Sequence, residues 1–323
     1  MRVLVTGGAG YIGSVVTAQL LAEGHDVVVV DDLSTGHADA VPQGAVFHEL
    51  PITGLDPVLG DWGIEAVIHF AAKSLVGEST QNPALYWRNN VVGTVALLDS
   101  LRAFGIDRIV FSSSAATYGE SAEQPIREDT PTRPTSPYGA SKLAIDLALA
   151  DYARAYGMAA VSLRYFNVAG ALHARGGRSY GERHATETHL IPNALRATAG
   201  GPAMSLFGTD YPTPDGTCVR DYIHVVDLGE AHLRALAAAV PGEHRIVNLG
   251  SGQGFSVREV LAAVAEVVGR DVPVVERGRR DGDPPVLVAS NVRAGEILGW
   301  RPERDLTAMV ADAWRFEDIA RTS

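Results

Sequence analysis

Cysteine is nearly missing from this sequence: Cys218 is the single one among 323 residues. No intramolecular disulfide can form, and a reducing compartment is expected. No apolar run approaches the roughly 18 residues needed to span a bilayer. The opening "MRVLVTGGAG" leads directly into a strand and a glycine turn, without the charged and apolar regions of a secretory signal. Positive charge is scarce, with 27 Lys and Arg against 38 Asp and Glu, a formal net charge of −11. That argues against general binding of nucleic acid or an anionic membrane, while a local basic pocket stays open. Repeats and low-complexity tracts are absent. The expectation is a cytoplasmic protein without membrane or nucleic-acid partners. What is present is ordinary for a globular chain, 46% hydrophobic and 20% charged. The length suffices for a sizeable core and two domains or one large one.

Short apolar runs alternate with helical patterns. "RVLVT" (2–6), "DVVVVDD" (26–32), "EAVIHFAA" (65–72), "RIVFSSS" (108–114) and "AAVSLRYFN" (159–167) read as strands. Helices are expected over 11–24, 82–105 and from Tyr138 to about Tyr156. The alternation implies an α/β fold: a Rossmann-type, doubly wound parallel sheet covered by helices. After Asn167 the pattern changes, and 173–184, 211–217 and 278–285 read as loops. The expected division is a dinucleotide-binding domain of 1–169 plus about 222–249. A smaller mixed α/β substrate domain would take about 170–221 plus 250–323.

"VTGGAGYIG" (5–13) follows a strand and opens a helix. Glycines there let backbone approach a pyrophosphate and aim helix N–H groups at it. A glycine pattern alone is weak in a chain with 34 glycines, but here strand, turn, helix and next strand agree. Asp31 ends that next strand, placed to accept from the adenine ribose hydroxyls and to repel a 2′-phosphate, so NAD is expected rather than NADP.

"SPYGASK" (136–142) sets Tyr138 and Lys142 four residues apart. Ser136 suits a helix cap and Pro137 the first helical position. On a helix the phenol and the ammonium share a face. A cation beside a phenol favours phenolate, a general base for an alcohol proton. Taken alone, Y-x-x-x-K is more often a surface pair.

With "TGGAGYIG", "FSSSAATYG" and "SPYGASK" in this order, the chain resembles the extended short-chain dehydrogenase/reductase family. "HFAAKSLVGES", "LRYFNVAG", "THLIPNAL", "GTCVRDYIHV" and "RRDGDPP" extend the resemblance to its 4-epimerases of UDP-hexoses, over nearly the whole chain. The resemblance implies an isomerase that interconverts UDP-glucose and UDP-galactose with tightly bound NAD. Its catalytic serine, tyrosine and lysine fall on Ser114, Tyr138 and Lys142. Its cofactor contacts fall on Gly7, Gly10, Tyr11, Ile12, Gly13, Asp31, Asp32, Leu33, Ser34, Thr35, Gly36, Ile52, Phe70, Ala71, Ala72, Asn89 and Phe166, besides Tyr138 and Lys142. Its UDP-hexose contacts fall on Asn167, His189, Leu190, Ser205, Leu206, Phe207, Arg220, Arg280, Asp283 and Leu287, besides Ser114 and Tyr138. Arg220 and Arg280 carry forks suited to a diphosphate.

Three positions depart from the family pattern. Pro51 replaces the acid that often precedes Ile52 at the adenine. Ser74 stands where many members carry lysine, with Lys73 one residue earlier. Leu287, intermediate in size, occupies the position that gates the sugar pocket, which leaves N-acetylhexosamine or uronic acid substrates as the alternative. A 4,6-dehydratase is disfavoured because "SSSAATYG" lacks an acid pair. A non-catalytic NAD-sensing protein is disfavoured because Tyr138 and Lys142 are both present. His173, His184 and His189, spaced by 11 and 5 without cysteines, fit no standard ligand pattern, and no metal is expected. Apolar residues spread around the helix from Tyr138 predict that it is covered on two sides, in a homodimer through a four-helix bundle with the 82–105 helix.

Overall fold

The structure, a computed structural model, describes residues 1–121, 123–174, 176–280 and 283–322. Its strands in chain order are β1 (Arg2–Thr6), β2 (Asp26–Asp31), β3 (Val46–Glu49), β4 (Ala66–His69), β5 (Arg108–Ser114), β6 (Ala159–Tyr165), β7 (Asn167–Ala169), β8 (Leu172–His173), β9 (Ser179–Tyr180), β10 (Met204–Phe207), β11 (Val219–His224), β12 (His244–Leu249), β13 (Gly254–Ser256), β14 (Val274–Arg277) and β15 (Val286–Leu287). The α-helices are α1 (Tyr11–Ala22), α2 (Asp56–Trp62), α3 (Val76–Gln81), α4 (Pro83–Tyr86), α5 (Gly93–Ala103), α6 (Pro137–Tyr156), α7 (Leu190–Thr198), α8 (Val225–Ala238), α9 (Val257–Val268), α10 (Val292–Leu298) and α11 (Leu306–Thr322). None of the described helices is long and apolar enough to cross a membrane.

Seven parallel strands form the main sheet, in the order β3-β2-β1-β4-β5-β6-β12. This is the expected Rossmann-type sheet. Its strands are apolar on both faces because helices cover both. Val3, Val5, Val27 and Val29 point into one core, which α8 closes with Leu228, Ala231 and Ala235. Leu4, Val28 and Val30 point into the other, closed by Leu97, Leu98 and Leu101 of α5 and Ile145 and Leu149 of α6. A third core, with Ala194, Leu195, Val260, Val264, Met309 and Val310, lies under α7, α9 and α11. The remaining strands make small sheets: β10 with β14, β13-β11-β15 with β7 added, and β8 with β9.

Three sequence expectations shift. The helix over 82–105 is not continuous: α4 gives way to a π-helical turn over Trp87–Val92 before α5 begins. π-turns are rare and often mark functional positions. Here the turn carries Asn90 into the interior, where its amide holds the N–H and carbonyl of Lys73 at 2.8 and 3.0 Å. The strand over 159–167 leaves the main sheet after Tyr165, and Asn167 already pairs with Tyr222 of β11. The loop read over 173–184 contains His173 of β8 and all of β9, most of a short hairpin.

Candidate active site

The carboxyl ends of β1, β2, β4 and β5 meet at one edge of the main sheet, where open α/β sheets bind ligands. The turn from β1 into α1 closes so tightly that side chains have no room. A Cβ on Gly7, whose φ is +75°, would stand 2.6 Å from the backbone nitrogen of Ala71. A Cβ on Gly13 would stand 2.1 Å from the Gly7 carbonyl oxygen. Gly10 caps α1 in extended conformation with no side chain in the way, and Tyr11 and Ile12 begin the helix. The Tyr11 hydroxyl donates to the Gly170 carbonyl at 2.6 Å, which ties the turn to the chain beyond β7.

Asp31 closes β2 and is nearly buried. Its Oδ2 accepts from the Ala9 N–H at 3.0 Å and its Oδ1 from the Leu33 N–H at 2.9 Å. Burial raises its pKa, and those two N–H groups work against the rise. Each oxygen keeps a lone pair for a ligand hydroxyl. Leu33 sits in the left-handed region at φ 55°, a strained position for a side chain, of order 1–3 kcal/mol. Asp32 accepts from the Ser34 N–H at 2.9 Å. Thr35 and Gly36 follow, and a Cβ on Gly36 would crowd the Asp31 carboxylate at 3.0 Å. Lys73 reaches across to the Ser34 hydroxyl at 2.9 Å, beside Asp31 and Asp32. Ile52 packs against Gly93. Phe70 tilts over His232 at 4.8 Å between ring centroids. Ala71 and Ala72 continue from it, and Asn89 donates to Asn90 at 3.0 Å.

Ser114 ends β5, and α6 begins at Pro137, capped by the Ser136 hydroxyl, which accepts from the Gly139 N–H at 3.2 Å. Tyr138 and Lys142 lie one turn apart on α6, facing the β5 end. The Lys142 ammonium is buried. It donates to the Ser112 carbonyl at 2.7 Å and stands 5.9 Å from the Tyr138 ring centroid. Burial lowers its pKa to about 7, opposed by Asp146. Tyr138 differs from the simple sequence argument. Burial raises its phenol above the ordinary value, and the Ser114 hydroxyl pulls it back. The lysine, turned to Ser112 and itself desolvated, does not supply the stabilising charge in this state.

Ser205, Leu206 and Phe207 lie on β10, and Arg280 stacks its guanidinium 4.0 Å from the Phe207 ring centroid. Arg220 pairs with Asp283 and donates to the Val219 carbonyl at 2.7 Å. Its strand neighbour in β15 is Leu287, which packs against the cluster of Tyr118, Ile126, Phe166 and Ala289. Asn167 donates to the Asp221 carbonyl at 2.9 Å. His189 and Leu190 open α7, but the His189 ring is held by Glu182 and packs edge-on to His184 at 5.3 Å.

Several positioning residues were not read from the sequence. Tyr86 packs edge-to-face on Tyr138 with centroids 6.4 Å apart, and its hydroxyl donates to the Leu75 carbonyl at 2.7 Å. Asn90 also donates to the Ser141 hydroxyl at 3.1 Å, linking the Lys73 loop to α6. Asp146, one turn beyond Lys142, forms a buried ion pair with Arg164 of β6 at 2.8 Å. Each signal is a single polar residue inside an apolar pattern, which marks an interior polar contact without naming its partner.

Residues 3–250 match the model of the NAD dependent epimerase/dehydratase family. The UDP-glucose 4-epimerase of Corynebacterium glutamicum is 52% identical, over 98% of this chain and 95% of its own length. The crystal structure of UDP-glucose 4-epimerase from Brucella ovis in complex with NAD superposes with a TM-score of 0.93 at 45% identity, covering 98% of each chain. The UDP-glucose-4-epimerase of Stenotrophomonas maltophila, with bound NAD and formylated UDP-arabinopyranose, gives 0.94 at 39% identity over 100% of both chains.

Proposed function

The chain belongs to the NAD dependent epimerase/dehydratase family, and from that premise we propose that it interconverts UDP-glucose and UDP-galactose through a transient 4-keto sugar, with Tyr138 as the base. It is an NAD-dependent nucleotide-sugar 4-epimerase. The glycine cradle fits a dinucleotide because its turn leaves no room for a Cβ at Gly7 or Gly13. Held by the Gly7–Gly13 turn and Asp31, NAD would supply the oxidant for the C4′ hydride and a cationic ring that favours the phenolate. The chain's own residues manage the proton. Tyr138 takes the proton of the 4′-hydroxyl and gives it back after the ketone has turned its other face. Ser114 orients the sugar oxygen. Lys142, whose pKa is brought down to about 7 by burial, lies one turn from Tyr138 and would bind the nicotinamide ribose. Arg220 and Arg280 suit the diphosphate. The observation that supports this reading most is the Ser114, Tyr138 and Lys142 grouping beside the cradle that holds Asp31.

Leu287 favours a second reading of substrate range. Leucine is smaller than an aromatic gate, and Leu287 packs beside Phe166 and Ala289, so UDP-N-acetylhexosamines and UDP-uronic acids are candidate substrates. The test is to supply UDP-galactose to purified protein with no NAD added, with UDP-N-acetylgalactosamine alongside. Turnover of the first is expected, because the cofactor is regenerated in each cycle and stays bound. Turnover of both would show a pocket with room for the N-acetyl group. Failure of both, unrescued by NAD, would remove the UDP-hexose reading.

The same reading includes a cytoplasmic homodimer acting on UDP-hexose, without membrane or nucleic-acid partners. Trp87, Val92, Phe104, Leu147 and Tyr156 are exposed on the segment 87–103, its end, and α6. These are the elements expected to form the intersubunit bundle. Light scattering at micromolar protein is expected to give twice the chain mass, and a monomer would sink the assignment.

A further inference from the structure

We propose that Glu182, His184, Glu187 and His189 form a binding site for one divalent transition-metal ion of the zinc class. The four occur in "ERHATETH" (182–189), on the strap between β9 and α7. Their ligand atoms all lie within 4.8 Å of one another. The His184 Nδ1 is 3.0 Å from Glu182 Oε1 and 3.7 Å from Glu187 Oε2. The His189 Nδ1 is 3.8 Å from Glu187 Oε1 and in contact with Glu182 Oε1. Nitrogen and oxygen ligands about 2.0–2.2 Å from a tetrahedral ion stand about 3.3–3.5 Å apart. Seating the ion would take movements of about 1 Å, opening the His189–Glu182 contact and drawing in the widest pair.

A second observation is independent of that spacing. The Glu187 side chain is only 1% exposed. Its Oε1 accepts from the Thr188 and His189 N–H groups at 2.7 and 2.8 Å. Its buried Oε2 has no hydrogen-bond partner, while the His184 Nδ1 is taken up by Glu182 at 3.0 Å. Arg196 stands 4.0 Å from that Oε2, too far to satisfy it. Glu187 Oε2 thus lies inside the cluster with only the longer ion-pair contacts to His184 and Arg196, where a cation would bond to it. Without an ion the two carboxylates favour protonated imidazoles, so a divalent ion would bind by taking the place of two protons. Imidazole and carboxylate donors together suit zinc. The histidine spacing alone hides this arrangement, because the interleaved glutamates complete the donor set.

The strap carries its own link to the cofactor side. Arg183, between two of the ligands, pairs with Asp39 at 2.7 Å, and its carbonyl bonds the His37 Nε2 at 2.9 Å. Glu182 and Glu187 also lie near enough to help burial raise the Tyr11 phenol. Four protein ligands and no open position describe a structural ion. It would fasten the strap between the loop after Asp31 and the start of α7.

The test uses the full chain, stripped with a chelator, desalted, and given zinc chloride. Elemental analysis after a second desalting is expected to find one zinc per chain, with a higher melting midpoint than the stripped protein. Cobalt(II) in its place is expected to give the intense visible absorption of a tetrahedral site. His184→Ala and Glu187→Gln should each lose metal retention. A wild-type chain that retains no zinc and gives no such cobalt spectrum would overturn the proposal, whether or not the variants fold. Retention unchanged in both folded variants would overturn it as well.

Discussion

Tyr138→Phe is expected to lower the turnover of UDP-galactose by about a hundred- to ten-thousandfold, the usual contribution of a positioned acid or base. The KM should move little, because the substitution removes one oxygen and keeps the ring. That ring stays packed on Tyr86, 6.4 Å away between centroids, so the fold and the α6 surface are preserved. The sensitivity follows from the absence of a substitute. Ser114 is an alcohol of ordinary basicity, and Lys142 is turned to the Ser112 carbonyl. Steady-state kinetics of purified variant and wild type, with NAD content measured on both, would check it. A variant within tenfold of wild type, with its NAD retained, would remove Tyr138 from the role of base.

Asp146→Ala is expected to cost about 3–5 kcal/mol of stability, the usual result of leaving one member of a buried ion pair without the other. Both side chains are 2% exposed. Arg164 Nε and an Nη both reach the same carboxylate oxygen, at 2.9 and 2.8 Å, and the Ser113 hydroxyl donates to it at 3.1 Å. Without Asp146 the guanidinium keeps only its place over the Tyr118 ring, 4.9 Å from the centroid. Replacing both members with apolar residues of similar volume should restore much of the loss, since no stranded charge remains. Urea unfolding midpoints of the single and double variants would check this. A double variant as unstable as the single would point to packing rather than charge. Asp146 also opposes the burial that depresses the Lys142 ammonium. The single variant should therefore make that lysine still less basic.

Strands were legible because a parallel sheet covered on both faces needs uninterrupted apolar runs, and "RVLVT" and "RIVFSSS" were read to the residue. The cap and first turn of α6 were legible from Ser136 and Pro137. The Tyr138 and Lys142 pairing was legible from a spacing of four. Their proton affinities were not, because these depend on burial by residues distant in sequence, such as Phe111 of β5, 4.8 Å from the lysine ammonium. The π-helical turn was also hidden. It rephases a helix by a single residue, and the pattern from 82 to 105 reads almost the same without it. The Glu182 and Glu187 cluster was hidden for a different reason. The stretch 173–184, rich in glycine and arginine, reads as a loop, Glu187 lies beyond it, and only folding shows that Glu182 and Glu187 are buried together.

The last strand of the main sheet has a consequence for how the chain is made. β12, at 244–249, pairs with β6, at 159–165, along its full length. Until about residue 249 has left the ribosome, β6 is an unprotected edge, and all seven of its residues are buried in the finished protein. Such an edge is a template for pairing with other chains. A nascent or truncated product ending before β12 would hold six of the seven strands of the main sheet yet tend to self-associate. Synthesis therefore exposes the chain to aggregation over the stretch between these two strands, and a chaperone would act with most effect there.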